Sequence, residues 1–270
     1  MEILRVLTLN LWGEQPPLER RMELVASGLH AMRPDVIALQ EVREVPETMP
    51  NQAATLAQAL GYQYAFAVAT PWGGGSEGLA LLSALPIVRS EWRELPHAST
   101  QERRIVLGAA LATDQGELGV FTTHLNWRMV DGIKRESQVS AVDAFVSAWP
   151  SSLPKVVMGD FNATPMHDEI RFLRGQHTLE GRRTVYQDAW ERYHPGDPGY
   201  TWSARNPYTQ RMRFVEADRR LDYVFVSPVT RDGRGFIHSC HLVFDQAAAD
   251  GTFASDHFGL YAEIQIAPLP

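Results

Sequence analysis

VVMGDFNATP, residues 156–165, is an apolar run that stops at a glycine and then presents an acid and an amide on either side of one phenylalanine. Val156-Val157-Met158 has the composition of a strand covered on both faces. Asp160, Asn162 and Pro165 are also the residues of an ordinary turn. The alternative is a functional site at the carboxyl end of a buried strand. The choice depends on whether other strands end in the same way.

Several do. LRVLTLN (4–10) ends in Asn10, DVIALQE (35–41) in Glu41 and LGVFTTH (118–124) in His124. LDYVFVS (221–227) places Asp222 inside an apolar run, where acids are rare unless paired. Asp256 and His257 stand just before FGLYAEIQI (258–266). GLALLS (78–83) and RIVLGAAL (104–111) are two further strands, and Asp114-Gln115-Gly116 turns the second of them into 118–124 as a hairpin. Leu18, Met22, Val25 and Leu29 recur at helical spacing, and residues 131–149 carry Val142, Phe145, Val146 and Trp149 on one helical face.

The arrangement repeats. VLTLNLW (6–12) leads through a helix to PDVIALQE (34–41), and VFTTHLNW (120–127) leads through a helix to PKVVMGD (154–160). Each time the first strand ends in a polar side chain and the second in an acid. Two such units suggest two sheets packed face to face with helices outside; one doubly wound sheet is the competing layout. Residues 1–270 read as a single domain, since Gly73-Gly74-Gly75 is too short to be a linker.

Composition narrows the function. At 270 residues and 44% apolar, the chain can bury a core without staples, and its one cysteine, Cys240, excludes an internal disulfide. No apolar stretch reaches the roughly 18 residues of a membrane span, and no leader pattern opens the chain. A cytoplasmic monomer is expected. The net charge of −7 argues against a large basic face for duplex nucleic acid. Locally, Arg205, Arg211, Arg213, Arg219 and Arg220 outnumber Glu216 and Asp218, which reads either as a solvated loop or as a basic funnel for polynucleotide. The polar strand ends are rich in oxygen donors, which suit a hard cation such as Mg²⁺. With histidines beside them, they are the parts for metal-assisted hydrolysis of a phosphoester.

Taken in chain order, LTLNLWG, LQEV, EGLALLS, TTHLN, GDFNATP, RRLDYVFVS and SDHFGL resemble the motifs of the endonuclease/exonuclease/phosphatase superfamily, the deoxyribonuclease-I-like phosphoesterases. The resemblance implies a four-layer α/β sandwich: two mixed β-sheets packed face to face between two layers of helices. It implies Glu41 as the main ligand of Mg²⁺, or of Mn²⁺, with Asn10 and Asp256 near it and one or two ions in all. It implies Asp160 as the group that orients or deprotonates the attacking water, steadied by Asn162. His257, paired with Asp222, would face the scissile phosphate, and His124 would donate to a phosphate oxygen or assist the leaving group. Glu77 is a candidate partner for His124, and Arg103, Arg104 and Asn126 are candidate substrate contacts.

The activity so implied is divalent-metal-dependent phosphoester hydrolysis by a phosphodiesterase or nuclease. The alternatives are a phosphatase or a sphingomyelinase-like lipid phosphodiesterase on the same site, and a binding module without turnover. The partner is then a phosphoester: nucleic acid or a phospholipid head group. Trp12, Trp72 and Trp127 lie beside site segments, where an indole packs, stacks on a base or meets a lipid.

Overall fold

The computed structural model describes residues 2–97, 102–212, 214 and 216–269. Arg213, one of the basic residues singled out above, lies outside them. The chain runs β1 (Ile3–Asn10), α1 (Leu18–Met32), β2 (Val36–Glu44), α2 (Gln52–Leu60), β3 (Gln63–Trp72), β4 (Gly75–Ser83) and β5 (Ile87–Glu94). It continues through β6 (Ile105–Thr113), β7 (Gly116–His124), a 3-10 turn at Met129–Asp131, α3 (Gly132–Ala148), β8 (Val156–Asp160) and α4 (Asp168–Leu173). It finishes with β9 (Gln187–Asp188), α5 (Ala189–Tyr193), a 3-10 turn at Gln210–Met212, β10 (Asp222–Val226), β11 (Ile237–Val243) and β12 (Gly259–Gln265).

The strands form two six-stranded sheets, in the orders β11-β12-β1-β2-β4-β3 and β5-β6-β7-β8-β10-β9. β1 runs parallel to β2 and β7 parallel to β8, while the remaining pairings are antiparallel. Both sheets are therefore mixed, and the single doubly wound sheet is excluded. The two parallel pairs are the two strand–helix–strand units seen in the sequence, one at the centre of each sheet.

Period-two alternation sorts the side chains into layers. Val6, Val36, Leu107, Met158, Val224 and Ile264 meet between the sheets. The opposite face of the second sheet, with Phe121, Val157, Tyr223 and Phe225, packs against Val142, Phe145 and Val146 of α3 and Ile170 of α4. The opposite face of the first sheet, with Leu7, Leu9, Ile37 and Leu39, packs against Val25 and Leu29 of α1 and Leu56 of α2. This is the four-layer α/β sandwich.

The same alternation positions the site. Leu4 and Val6 point between the sheets, so Asn10 follows in phase. Leu118 and Val120 lead to His124, and Val156 and Met158 lead to Asp160. Val224 and Val226 share their face with Asp222. The polar strand ends are thus the last step of the inter-sheet core. Just beneath them Gln40 spans the gap, its Nε2 donating to Thr122 Oγ1 at 3.0 Å and to Thr8 Oγ1 at 3.2 Å.

Sequence reasoning missed β3, β5, β11 and α2. β3 and β5 are edge strands with about half their residues in water; β5 has no long apolar run, whereas β3 carries one at Tyr64–Ala69. In β8, by contrast, all five residues are buried. Its glycine is required: Gly159 has φ +139°, and a Cβ there would lie 2.0 Å from the Thr123 carbonyl oxygen of β7. A side chain would push β8 away from β7 immediately before Asp160.

Gly159→Ala should therefore cost roughly 2–4 kcal/mol, a large value for one methyl group, through backbone strain and displaced strand pairing. Gly132→Ala, in open space at the start of α3, should be neutral or stabilise by about 0.5–1 kcal/mol. Denaturant midpoints of the two variants check this; equal midpoints would show that the β7–β8 approach is not tight.

Candidate active site

Asp160 is where the two sheets meet chemically. Strand register sets it directly beside His124 on β7 and opposite Asp222 on β10. Its Oδ1 accepts the Asn162 backbone N–H at 2.9 Å, and its Oδ2 accepts Asn10 Nδ2, from the other sheet, at 3.1 Å. Asn162 has φ +50°, a left-handed conformation that turns the chain back over the carboxylate, and its Nδ2 donates to the Leu125 carbonyl at 3.1 Å. Burial and the charge of Asp222 push the Asp160 carboxyl up to about 7, against the pull of His257 and these two donors.

His257 stands between two acids. Its Nδ1 is 2.8 Å from Asp222 Oδ2, the bond expected from the sequence, and its Nε2 is 3.8 Å from Asp160 Oδ2. Burial alone would push the ring down; Asp222, Asp160 and Asp256 together outweigh it and raise the ring well above the ordinary histidine range. These acids favour the charged form of the ring.

His124 is its electrostatic opposite. Arg104 donates from Nη1 to His124 Nδ1 at 2.8 Å. A guanidinium only donates, so Nδ1 must accept, and the ring's hydrogen sits on Nε2, 3.4 Å from Asp160 Oδ2. Burial, Arg104 and His257 hold this ring well below the ordinary range, so it is neutral. The partner expected for His124 was Glu77; among the described contacts it is Arg104, itself paired with Glu102.

Asn126 and Arg103 stand outside this cluster. Asn126 is fully buried, its Nδ2 donating to Glu102 at 3.0 Å and its Oδ1 accepting from Gln138 Nε2, so it stands behind the wall of the cleft. Arg103 pairs with Glu94 at 2.7 Å and lines a neighbouring lobe. Two of the five arginines of the basic segment are consumed in the fold: Arg220 is buried against Asp188 at 2.7 Å, and Arg219 pairs with Glu216 while lying over Trp202; Arg205 and Arg211 are exposed.

Glu41, His124, Asp160, Asn162, Asp256 and His257 line one cavity of about 520 Å³, and Arg104 and Glu77 line it too. Asn10 and Asp222 lie directly behind, buried. Glu41 reaches the cavity from an irregularity in the β2–β4 ladder, with φ +53°. Glu77 is pushed up to about 7 by burial and the nearby Glu41, and Asp256 up to about 6 by burial and Glu41, against His257. This crowding of acids is what a bound cation relieves. The donors are oxygens, Asp222 Oδ1 is buried without a hydrogen-bond partner among the described residues, and Asp160, Asp222 and His257 offer ligand atoms within 4.8 Å of one another. Asp160, Asp222 and His257 could therefore hold a divalent ion, and Glu41 and Asp256 bring further oxygen donors to the same cavity. Asn10 Oδ1 accepts Trp12 N–H at 2.9 Å, and its Nδ2 lies 3.1 Å from both Glu41 Oε1 and Asp160 Oδ2, so it clamps the two acids together.

Sequence reasoning missed Arg21 and Arg43. Arg21 is fully buried in α1 and donates to the carbonyls of Leu11 at 2.7 Å, Gly13 at 3.1 Å and Ala254 at 3.1 Å, tying the segment after Asn10 to the segment before Asp256. The available signal was its phase: Arg21, Val25 and Leu29 form the inward stripe. Arg43 is also buried and holds the Trp72 carbonyl at 2.9 Å and Glu14 at 3.1 Å.

A family model described as the Endonuclease/Exonuclease/phosphatase family matches residues 7–257. D. rerio TDP2 complexed with single strand DNA product superposes with a TM-score of 0.79 at 20% identity, over 97% of this chain and 99% of that one. The human Nocturnin catalytic domain with bound sulfate anion gives 0.74 at 21% identity, over 98% and 94%. An endonuclease/exonuclease/phosphatase from Beutenbergia cavernae gives 0.74 at 22%, over 99% of this chain and 72% of that one. At these identities the likeness shows the fold. No curated protein matches the chain in sequence.

The two histidines should be distinguishable in nitrogen-15 spectra of metal-free protein near neutral pH. His257 should be doubly protonated, and His124 singly protonated on Nε2. Asp222→Asn should lower the titration midpoint of His257 and leave that of His124 low. A His257 ring titrating at or below the ordinary histidine range in the wild type would overturn this assignment.

Proposed function

The chain belongs to the endonuclease/exonuclease/phosphatase family, and we propose that it is a divalent-metal-dependent phosphodiesterase acting on nucleotide esters or nucleic acid. The observation that carries the reading is the His257 ring, held between Asp222 and Asp160 at the wall of an acid-lined cavity. An acidic cleft repels a phosphodiester unless something in it presents positive charge to the phosphoryl oxygens. His257 Nε2 is placed to do so, with Asp222 fixing the ring from behind. When bound at Glu41 and Asp256, a divalent cation adds Lewis-acid polarisation and neutralises these acids.

Asp160, pushed up to about 7, has the basicity to take a proton from an attacking water near neutral pH. Asn10 and the Asn162 N–H keep its two oxygens aimed while it does so. His124, neutral with its hydrogen on Nε2, donates to a phosphoryl oxygen without adding charge. Positive charge and donors fixed in a buried wall act chiefly on the pentacovalent state, where oxygen charge is greatest.

One observation favours a second reading, a lipid head-group diester. Val130 and Ile133, just beyond the site segment that carries His124 and Trp127, are 89% and 81% exposed. A substrate panel separates the two readings. Bis(4-nitrophenyl) phosphate, 4-nitrophenyl phosphate, single- and double-stranded DNA and RNA, and sphingomyelin vesicles are each assayed with Mg²⁺, with Mn²⁺ and in excess chelator.

Diester cleavage with Mg²⁺ or Mn²⁺ that stops in chelator is the expected result; full activity in protein shown to be metal-free would refute the proposal. Glu41→Gln should raise the metal concentration needed for half activity, because it removes a charged ligand and keeps the shape. His257→Ala should lower kcat by about 10²–10³, the usual loss for one preorganised donor, while far-UV circular dichroism stays native. Near-normal turnover in that variant would remove His257 from the reaction.

A further inference from the structure

A cavity of about 680 Å³ adjoins the catalytic one and shares Glu41, Glu77 and Arg104 with it. Trp72 and Trp127 line both cavities, and Arg103 and Arg128 line the second. The hydrolytic chemistry leaves these four residues without a task. The two indoles are 61% and 57% exposed, which is much apolar surface to leave in water beside a reaction centre.

Both indoles stand on fixed backbone. Trp72 is the last residue of β3, paired with Gly75 across a turn whose Gly73 and Gly74 have φ +52° and +76°. Its carbonyl is held by the buried Arg43. Trp127 sits between Asn126 and Arg128, and Arg135, buried and paired with Glu169 at 2.8 Å, donates to the carbonyls of both, at 3.2 Å and 2.7 Å. Rings exposed on an anchored backbone are placed to receive something flat at little cost in ordering. Arg128 lies over the Trp127 ring at 5.7 Å and has no carboxylate partner among the described residues.

We infer that this lobe is the specificity subsite for a nucleobase next to the scissile phosphate, with Trp72 and Trp127 as the stacking walls and Arg128 and Arg103 receiving a neighbouring phosphate. The inference rests on the phosphodiesterase reading above. The lining decides between a base and an acyl chain. Six charged groups, Glu41, Glu77, Glu102, Arg103, Arg104 and Arg128, share the lobe with the two indoles. Hydrocarbon would strand those charges, whereas a base offers a π-face to the indoles and polar edges to the charged groups.

The test compares two diesters with the same leaving group, thymidine 5′-(4-nitrophenyl phosphate) and methyl 4-nitrophenyl phosphate, in Mg²⁺. The readout is the ratio of their kcat/KM values. The wild-type ratio should favour the nucleoside ester. Trp72→Ala and Trp127→Ala should each lower that ratio by about tenfold, within the range for one stacked base, and Trp72→Phe and Trp127→Phe should keep most of it. A ratio unchanged in the alanine variants overturns the inference, whether the two rates fall together or stay. If the wild type cleaves neither ester, the phosphodiesterase reading fails by itself, and the subsite is judged by fluorescence. Thymidine 5′-monophosphate should then quench tryptophan emission in the presence of Mg²⁺ where ribose 5-phosphate does not, with less quenching in both alanine variants; equal effects of the two ligands overturn it.

Discussion

A buried carboxylate must be compensated, and Asp160 is compensated from every direction. Transferring an isolated ion of this kind out of water costs several kcal/mol even after the surroundings relax. Here an amide from the opposite sheet, a backbone N–H from its own loop and two imidazoles on neighbouring segments all converge on its two oxygens. Asn10 and His124 end β1 and β7, while Asn162 lies two residues after β8 and His257 two residues before β12. The sandwich can therefore be seen as the scaffold that lets one acid stay buried at the wall of a cavity.

The same cleft holds two histidines in opposite states, and the difference is made by one neighbour each. Asp222 backs His257 and favours its charged form; Arg104 backs His124 and favours its neutral form. A cation and a neutral donor can then face the same phosphoryl group without both repelling a metal ion. The arrangement is rigid because the backing residues are buried: Asp222 lies on a central strand, and Arg104 is pinned by Glu102, which Asn126 also holds.

Much of this was legible in the sequence because the core strands are long, apolar and in phase. Val156, Met158 and Asp160 alternate with Val157, so the acid's face was implied by its neighbours. The burial of Asp222 was legible for the same reason, an acid set inside an apolar run, while its pairing with His257 was implied by the resemblance. The edge strand β5 was not, because its half-exposed residues carry no periodic apolar signal. Nor was the environment of His124. Arg104 is 20 residues away in sequence, and the rival partner Glu77 shares its cavity, so only geometry chooses between them. Asn126 was misplaced because residues two apart share a face only while the strand lasts, and β7 ends at His124. The hydrogen bonds of Asn10 were not legible, because only the fold brings the Trp12 N–H to its oxygen and the two acids to its nitrogen.

The site closes through contacts between distant parts of the chain. Ser255 donates to the Asn10 carbonyl at 2.6 Å across 245 residues, and β1 lies between β12 and β2. During synthesis, Asn10, Glu41, His124 and Asp160 all leave the ribosome well before Asp256 and His257. A nascent chain can fold its second sheet early, because β5 to β10 are nearly contiguous, yet it has no complete cleft until its last strand arrives. Contacts of such long range also make folding slow. The completed cleft thus depends on the pairing of β1 with β12, two strands far apart along the chain.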